Sequence, residues 1–390
     1  MLVRVLLGRT LACAALLGLV LALACPALAD ELASGPTSGP GPAPAATIDP
    51  ATGPAASPAN AAAKPADKPG SISGATLILT EENDFFAGTD EHYTNGIKLT
   101  WISADLKKYA EDERLPDFAV AYLNRLPFVN EPGQQYNVAL SAGQNMYTPA
   151  NTATKAPQPN DRPYAGWTYI SLALHAKTPT QLDSFETSLG MVGPSARAGE
   201  TQNNYHTLMG FARAEGWHNQ IHDEPGLMLS WQRTLRAARV DLGRDVSWDV
   251  LPHAGVTVGN VLTHAAAGFE TRIGYRLPWD FGTSLIQPGG GVSAPADPGD
   301  TRLRQDTTFG LHFFVGAEGR AVARNIFLDG NTWEHSPHVT RKPLVADGMA
   351  GVGLVLGRVK LTYTHVYRTE EFDGQDGPQM FGSINLSVTF

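Results

Sequence analysis

Short segments in which apolar and polar residues alternate recur from residue 74 to the C-terminus. A period of two is typical of a β-strand with one apolar and one polar face. The last segment shows it most clearly, because one of its faces is wholly apolar: Ile384, Leu386, Val388 and Phe390. Other segments with this pattern are 77–101, 136–142, 184–192, 227–234, 240–250, 269–277, 313–318, 351–356 and 359–367. The sequence therefore predicts an all-β protein.

The N-terminus has the pattern of an exported protein. Arg4 and Arg9 precede an apolar run, and an Ala-Leu-Ala site follows it, which predicts a signal peptide over residues 1–29. Residues 30–73 are mainly alanine, proline, glycine, serine and threonine without an aromatic residue, so we expect a disordered tether there. The folded part is then residues 74–390.

Removal of the signal peptide changes the chemistry of the chain. Both cysteines, Cys13 and Cys25, lie in it, so neither disulfides nor thiolate sites are expected afterwards. Lys plus Arg falls from 29 to 27 while Asp plus Glu stays at 38, so the net charge becomes −11. An acidic exported protein is a poor nucleic-acid binder, and we expect no nucleic-acid partner.

The alternating segments favour a membrane barrel over a soluble fold. After residue 30 no apolar run reaches 18 residues, so no transmembrane helix is expected. Alternating strands of about 10 residues behind a signal peptide, with a terminal phenylalanine, are typical of outer-membrane barrels. We predict a transmembrane antiparallel β-barrel of about 12 strands, an even number as such barrels require. A soluble β-sandwich or a periplasmic barrel would alternate similarly and remains the alternative.

One stretch departs from this period. Between residues 200 and 221 the apolar residues have the i, i+3, i+4, i+7 spacing of a helix: Tyr205, Leu208, Met209 and Ala212. His206 lies on this helix, and the neighbouring amides of Gln202 and Asn203 are candidates to fix its tautomer. His206 is therefore the best candidate for a general base, the alternative being an ordinary surface or packed histidine.

A second polar group lies where the first two predicted strands meet. Asn83 and Asp84 follow the first strand, and Thr94 lies near the start of the second. An amide, a carboxylate and a hydroxyl held on a sheet suit a hard cation or an oxyanion. A polar hairpin end, with Asn and Asp as turn residues, is the simpler alternative.

The segment 160–167 is rich in turn-forming residues and leads into a strand. We interpret it as an ordered turn with an Asp161–Arg162 pair, followed by an aromatic residue, Trp167, at the membrane interface.

Several motifs occur in the order found in a known family: Asn83-Asp84, Tyr93-Thr94-Asn95-Gly96, Asp161-Arg162-Pro163-Tyr164-Ala165-Gly166-Trp167, Val192-Gly193-Pro194-Ser195, Gln202-Asn203-x-x-His206, Gly216-Trp217-x-x-Gln220, Pro252-His253-Ala254-Gly255, Gly259-Asn260-Val261 and Arg324-Asn325-Ile326-Phe327-Leu328-Asp329-Gly330. From about residue 75 to 390 the chain resembles the outer-membrane lipid A deacylases of Gram-negative bacteria, the LpxR type. The resemblance implies a 12-stranded barrel with its active site between the wall and a helix, near the outer leaflet. It also implies calcium-dependent hydrolysis of the 3′-linked acyloxyacyl ester of lipid A.

The resemblance implies active-site positions for five residues of this chain: Asn83, Asp84, Thr94, Lys155 and His206. His206 would activate water, and Asp84 with Asn83 would bind Ca²⁺. Ala212 stands where some family members have a glutamate, which leaves Glu215 as the nearby acid. Two other functions remain open, namely a non-catalytic barrel that acts as a pore or binding surface, and an outer-membrane phospholipase with a serine nucleophile.

Overall fold

The computed structural model describes residues 74–84, 92–106, 133–289, 294–297, 299–303 and 309–390. The predicted signal peptide and tether, residues 1–73, lie outside this part of the chain. Across the described ranges no helix combines the length and the apolar character needed to cross a membrane.

The described residues form thirteen strands and two α-helices. The strands are β1 (Thr76–Asn83), β2 (His92–Ile102), β3 (Gln135–Thr148), β4 (Ala165–Lys177), β5 (Gln181–Val192), β6 (Glu224–Leu235), β7 (Ala238–Gly243), β8 (Val246–Gly259), β9 (Leu262–Tyr275), β10 (Phe309–Asn325), β11 (Leu344–Leu356), β12 (Val359–Arg368) and β13 (Gln379–Thr389). The helices are α1 (Ala198–Met209) and α2 (Ile326–Asp329).

The strands close into one antiparallel barrel. The order of the strands is β6-β5-β4-β3-β2-β1-β13-β12-β11-β10-β9-β8-β7, and β6 also pairs with β8. Because β6 and β7 pair with successive parts of β8, they fill a single place in the wall. The wall therefore has twelve strand positions, which confirms the predicted barrel and its strand number.

One predicted strand was wrong. The segment 240–250 is interrupted by a hairpin turn, in which Arg244 and Asp245 both have positive φ, at 55° and 61°. β7 therefore ends at Gly243 and β8 begins at Val246. The alternation continues across this turn because both strands present apolar residues to the same side.

The wall is apolar outside and polar inside. Large apolar side chains are exposed on its outer surface: Ile97, Leu99, Leu140, Ile170, Leu189, Leu229, Val258, Phe313 and Val315. The residues between them along each strand point into the lumen, where charged side chains pair, as Lys98 does with Glu186 at 3.2 Å. A surface of this kind is stable in lipid and not in water.

The two ends of the barrel differ in what they hold. Thr76 and Thr389 pair at one end, which we call the terminal end. β1 runs from there to Asn83 at the opposite end, which we call the loop end. α1 follows β5 and α2 follows β10, so both helices lie at the loop end.

The described part of the connection between β9 and β10 lies in the lumen. Backbone groups of residues 280–289 and 294–295 bond to inward side chains of several strands: Ile286 N to Glu82, Gly289 N to Glu186, Thr283 N to Glu270, Pro295 O to Lys177, and Asp280 O to Arg236. Because these strands lie all around the barrel, the segment acts as an internal plug. We call residues 280–289 and 294–295 the lumen plug.

One carboxylate anchors the plug in the lumen. Asp280 is fully buried and accepts hydrogen bonds from Arg272 at 2.5 Å, Lys360 at 2.7 Å and Arg302 at 3.1 Å. Charges are tolerated in such a place only when each has partners. The plug therefore depends on the balance between this carboxylate and the three cations around it.

Replacing Asp280→Ala should loosen the plug, because it leaves buried cations uncompensated. We expect a loss of about 3–5 kcal/mol of stability and ion conductance in planar bilayers, where the parent protein should conduct almost nothing. Thermal unfolding and conductance recordings measure both effects.

The matched control is Asp245→Asn, in an exposed pair with Arg276, which should change stability by less than about 1 kcal/mol. If the D280A protein were as stable as its parent and also conducted no ions, the plug would not depend on Asp280.

Candidate active site

The predicted polar residues on the first two strands meet at the loop end. Asn83 lies directly opposite Asn95 in the β1–β2 register. The alternation that places Leu79 and Leu99 outside puts both asparagines on the outer face as well. Asn83 and Asp84 are nevertheless buried. Asn83 and Asn95 therefore lie on the outside of the wall and not in the lumen.

A β-bulge adds Thr94 to this group. The pairing of β2 with β3 skips Thr94, whose neighbours Tyr93 and Asn95 face successive residues of β3. A bulge of this kind redirects a side chain, and such bulges are common beside active sites. The Thr94 hydroxyl lies 2.7 Å from that of Thr148, and both residues are buried. The structure thus brings Asn83, Asp84 and Thr94 to one corner of the wall, as expected from the sequence.

Helix α1 lies against the outer face of β3 and β4. Two outward side chains on these strands, Gln144 and Thr168, donate to the carbonyl oxygen of Ala196, just before the helix, at 2.7 and 2.8 Å. Met146, also outward, packs with Ala198 at the start of the helix. The helix is therefore on the same outer surface as Asn83, two strands along the wall from β1.

The contact between helix and wall depends on a glycine. A Cβ atom on Gly166 would lie 2.5 Å from the Cβ of Ala198, closer than two carbon atoms approach. Gly166 therefore lets the helix start lie directly on β4. At the other end Gly210, with φ of 73°, ends α1 in the left-handed conformation that favours glycine.

The predicted helix was right in place and wrong in extent. α1 begins at Ala198 and ends at Met209, so Ala212 lies beyond it. Leu208 is 72% exposed, so the apolar spacing does not mark one buried face. The buried side chains are instead Ala198, Gln202 and His206, each one helical turn from the next.

His206 has a defined tautomer. Its Nδ1 lies 2.5 Å from the carbonyl oxygen of Ala212, so Nδ1 carries the proton and donates, which leaves Nε2 with the free lone pair. The predicted role of the amides was wrong, because Gln202 accepts from the Trp217 indole and Asn203 bonds to the backbone of Ala214. A backbone carbonyl orients the ring here.

Lys155 lies apart from the buried groups. Its side chain is 74% exposed and pairs with Glu215 at 3.4 Å. Its carbonyl oxygen accepts from Asn219, which ties this loop to the segment after α1. The structure therefore places Lys155 on the surface of the loop end. Glu215, the acid nearest to Ala212 in the predicted site, pairs with Lys155 on this surface.

The turn over 160–167 is confirmed, with different contacts from those expected. The guanidinium of Arg162, fully buried, pairs with Glu371 at 3.2 Å, and Asp161 accepts from the backbone N–H groups of Ala150 and Arg162. Trp167 was predicted at the membrane interface. This was wrong, because Trp167 points into the lumen and is 2% exposed.

The Arg162–Glu371 pair joins two loops at the loop end. Burial opposes the charged form of Glu371, but the charges of Arg162 and Arg368 outweigh it and hold the pKa of this carboxyl below its ordinary value of 4.5. The stabilisation is therefore complete above that value and is lost as the pH falls through the lower, folded-state pKa.

The side chains at Asn83 suit a hard cation in type. Amide, carboxylate and hydroxyl oxygens are the donors that Ca²⁺ takes, usually six to eight of them. Among the described residues no cluster of three or more His, Cys, Asp or Glu side chains could hold a metal ion. The corner thus offers oxygens of the type that calcium binds, the Asp84 carboxylate and the neutral oxygens of Asn83 and Thr94, which are three of the six to eight that the ion usually takes.

Sequence reasoning missed two groups of this site. The Thr148 hydroxyl contacts Thr94, and the Ala212 carbonyl orients His206. The outward position of Thr148 could have been found by extending the alternation of β3 to its end. The role of the Ala212 carbonyl could not have been predicted, because a backbone group is the same in every residue and leaves no mark in the sequence.

Replacing Gly166→Val should push α1 away from the wall, because the new side chain overlaps Ala198. Overpacking costs about 1–3 kcal/mol, so trypsin should cut at the exposed Arg197 and Arg213 roughly tenfold faster. The control is Gly348→Val, on an outward position of β11 where a Cβ meets nothing within 4 Å. Equal cleavage rates in parent and G166V would contradict this packing.

Comparisons with known proteins identify the family. The family described as outer membrane protein LpxR matches residues 50–390. No curated protein matches the chain. LpxR from Salmonella typhimurium is 16% identical, with a TM-score of 0.64 over 81% of this chain and 100% of that one.

Two other solved barrels resemble the chain less. The β-domain of the Bordetella autotransporter BrkA is 9% identical, with a TM-score of 0.38 over 81% of this chain and 97% of that one. The translocator domain of NalP from Neisseria meningitidis is 10% identical, with a TM-score of 0.31 over 82% and 89%. The barrel fold and the family match together place the protein in the outer membrane, and the chain belongs to the LpxR family of outer membrane proteins.

Proposed function

We propose that this protein is a lipid A deacylase that hydrolyses the 3′-O-linked acyloxyacyl ester of lipid A in the outer membrane. The observation that supports the proposal most strongly is the burial of His206 together with the hydrogen bond of its ring. His206 is buried against the membrane-facing side of the wall, and its Nδ1 bond to Ala212 leaves Nε2 free to accept a proton. A base in this position suits an ester that reaches it from the lipid.

In the proposed reaction, Nε2 of His206 takes a proton from water as the water attacks the ester carbonyl. The Ala212 carbonyl holds the ring in orientation while the imidazolium exists. The proton then passes to the departing hydroxyl, so the histidine returns to its starting form. Asn83 would donate to the oxyanion, or complete the shell of a cation beside it.

Calcium fits the same corner. Asp84 would bind it with its carboxylate, and Asn83 with its amide oxygen. When bound, the ion supplies Lewis-acid polarisation of the ester carbonyl. Thr94, fixed by its bond to Thr148, would position water or a ligand of the ion.

Lys155 would serve the substrate rather than the reaction. Its ammonium is exposed at the loop end, and its pair with Glu215 is a surface pair of small energy. An anionic group such as a lipid phosphate could therefore replace Glu215 at little cost. We propose that Lys155 binds such an anionic group of the substrate.

The two alternatives have less support. A pore needs an open lumen, and the lumen plug is bonded to strands around the barrel. A serine phospholipase needs a serine hydroxyl bonded to Nε2 of its base, and no serine of the described residues is bonded to His206.

His206→Ala should abolish hydrolysis, because it removes the base. We expect a loss of about 10²–10⁴ in rate, measured as the loss of an acyloxyacyl mass from lipid A by mass spectrometry. His218→Ala, on an exposed histidine close in sequence, should retain the parent rate. Parent activity in H206A would refute the base. No mass change with the parent protein would refute the deacylase itself.

Asp84→Asn should weaken the response to calcium, because it removes the carboxylate ligand. The calcium concentration that gives half-maximal activity should rise at least tenfold, and a chelator should silence the parent enzyme. Direct calcium titration by calorimetry gives a readout independent of activity, with Asp223→Asn, on an exposed loop, as the control. Identical calcium titrations for D84N and its parent would show that Asp84 is not a ligand.

A further inference from the structure

A space of about 110 Å³ lies inside the barrel, between the lumen plug and the loop end. Ile286 and Pro288 of the plug form its floor, and Phe327 of α2 lines it from the loop end. It lies on the lumen side of the wall, so it is separate from the outer-face site of Asn83 and His206. We call it the lumen cavity.

Aromatic rings form much of the lumen cavity's wall. They belong to Tyr93, Tyr147, Trp167, Tyr169, Phe327 and Phe381. The rings already stack in pairs, with Trp167 and Tyr169 5.4 Å apart at 13°, and Tyr147 and Phe327 4.2 Å apart at 21°. Stacked rings present flat, polarizable faces, on which C–H groups of a ring-shaped ligand pack well.

The charged side chains of the cavity wall already have partners. Glu82 accepts from the Tyr93 hydroxyl and from Ile286 N, at 2.9 and 2.7 Å. Glu186 pairs with Lys98 and accepts from Gly289 N. A charged ligand would find no unpaired countercharge at these positions.

Three polar atoms of the wall have no partner within the described part of the chain: His264 Nδ1 and two atoms on side chains that are at least nine-tenths buried. The indole Nε1 of Trp167 and the amide Oδ1 of Asn145 are buried and lack a hydrogen bond within the described part of the chain. Trp167 is 2% exposed and Asn145 8%. Such groups are costly unless water or a ligand satisfies them, so Trp167 and Asn145 offer one donor and one acceptor to an occupant.

We propose that the lumen cavity binds a neutral sugar ring, either a free monosaccharide or one residue of an oligosaccharide. Its volume would hold roughly eight waters. The ring and hydroxyl atoms of one sugar would take the place of these waters. A sugar has hydroxyls that both donate and accept, and C–H faces that stack on aromatic rings. Lys342 lines the cavity and is 36% exposed, so the cavity reaches the surface at the loop end.

The test measures binding to the full-length barrel by saturation-transfer NMR and calorimetry, in a detergent without a sugar headgroup. The probes are glucose, N-acetylglucosamine, glucuronic acid, glycerol and a core oligosaccharide released from lipopolysaccharide. We compare the parent with Trp167→Phe, Asn145→Leu and, as a control, Trp231→Phe, an indole that bonds to Asp183. Heat-modifiable gel mobility checks that each variant folds.

We expect a neutral sugar to bind the parent and W231F equally, and glucuronic acid to bind more weakly. Loss of one hydrogen bond should weaken binding about fivefold in W167F and in N145L. Binding of the oligosaccharide but not of free sugars would assign the ligand to lipopolysaccharide and also support the site.

No binding by any sugar, tighter binding of the acid, or equal binding in all variants would overturn the proposal and leave a cavity that holds water only. Because no ester is cleaved in this assay, its result is independent of the proposed hydrolysis.

Discussion

The whole structure depends on the period-two alternation of side chains between lipid and lumen. Each strand commits one face to an apolar solvent and the other to an enclosed polar space. A one-residue slip would reverse both faces of a strand, so the register is strongly specified. The buried charges of the lumen, such as Asp280 with its three cations, reinforce that register because they pair only when the strands are correctly aligned.

The same alternation of side chains places the candidate site on the outer face of the wall. Polar residues on the lipid side are unfavourable, yet Asn83, Thr94 and Thr148 all lie there and are buried. α1, which carries His206, packs against the same outer surface. A lipid-borne ester can reach such a site by moving sideways in the membrane, without entering the barrel. The lumen plug is consistent with this arrangement, because the proposed site on the outer face needs no open channel through the barrel.

Much of this arrangement could be predicted from the sequence. The alternation gave the barrel and its twelve positions, and the helical spacing located α1 around His206. The hairpin formed by the first two strands brought Asn83, Asp84 and Thr94 together, since paired strand ends are close in space. These features are local, so they leave a signature in neighbouring residues.

The features that were missed are not local. The lumen plug has no periodic pattern, and its backbone groups are bonded to side chains from distant strands. The inward direction of Trp167 depends on where β4 begins. If the start of the strand is shifted by one residue, the alternation predicts the opposite face for Trp167. The length of α1 was set by Gly210 and not by the apolar spacing. Lys155 was assigned to the active site from its position in a sequence motif. Where its side chain lies depends instead on the conformation of its loop, in which it pairs with Glu215.

The central claim is that lipid A meets this protein on the outer face of β1 and β2. Photo-crosslinking tests it most directly, with a benzophenone amino acid at Asn95, beside Asn83, or at Ala321, on the outer face of β10 and five strands away around the barrel. In an H206A background, which should hold uncleaved substrate, we predict that lipid A crosslinks at position 95 and much less at position 321. Equal crosslinking at the two positions would contradict the site.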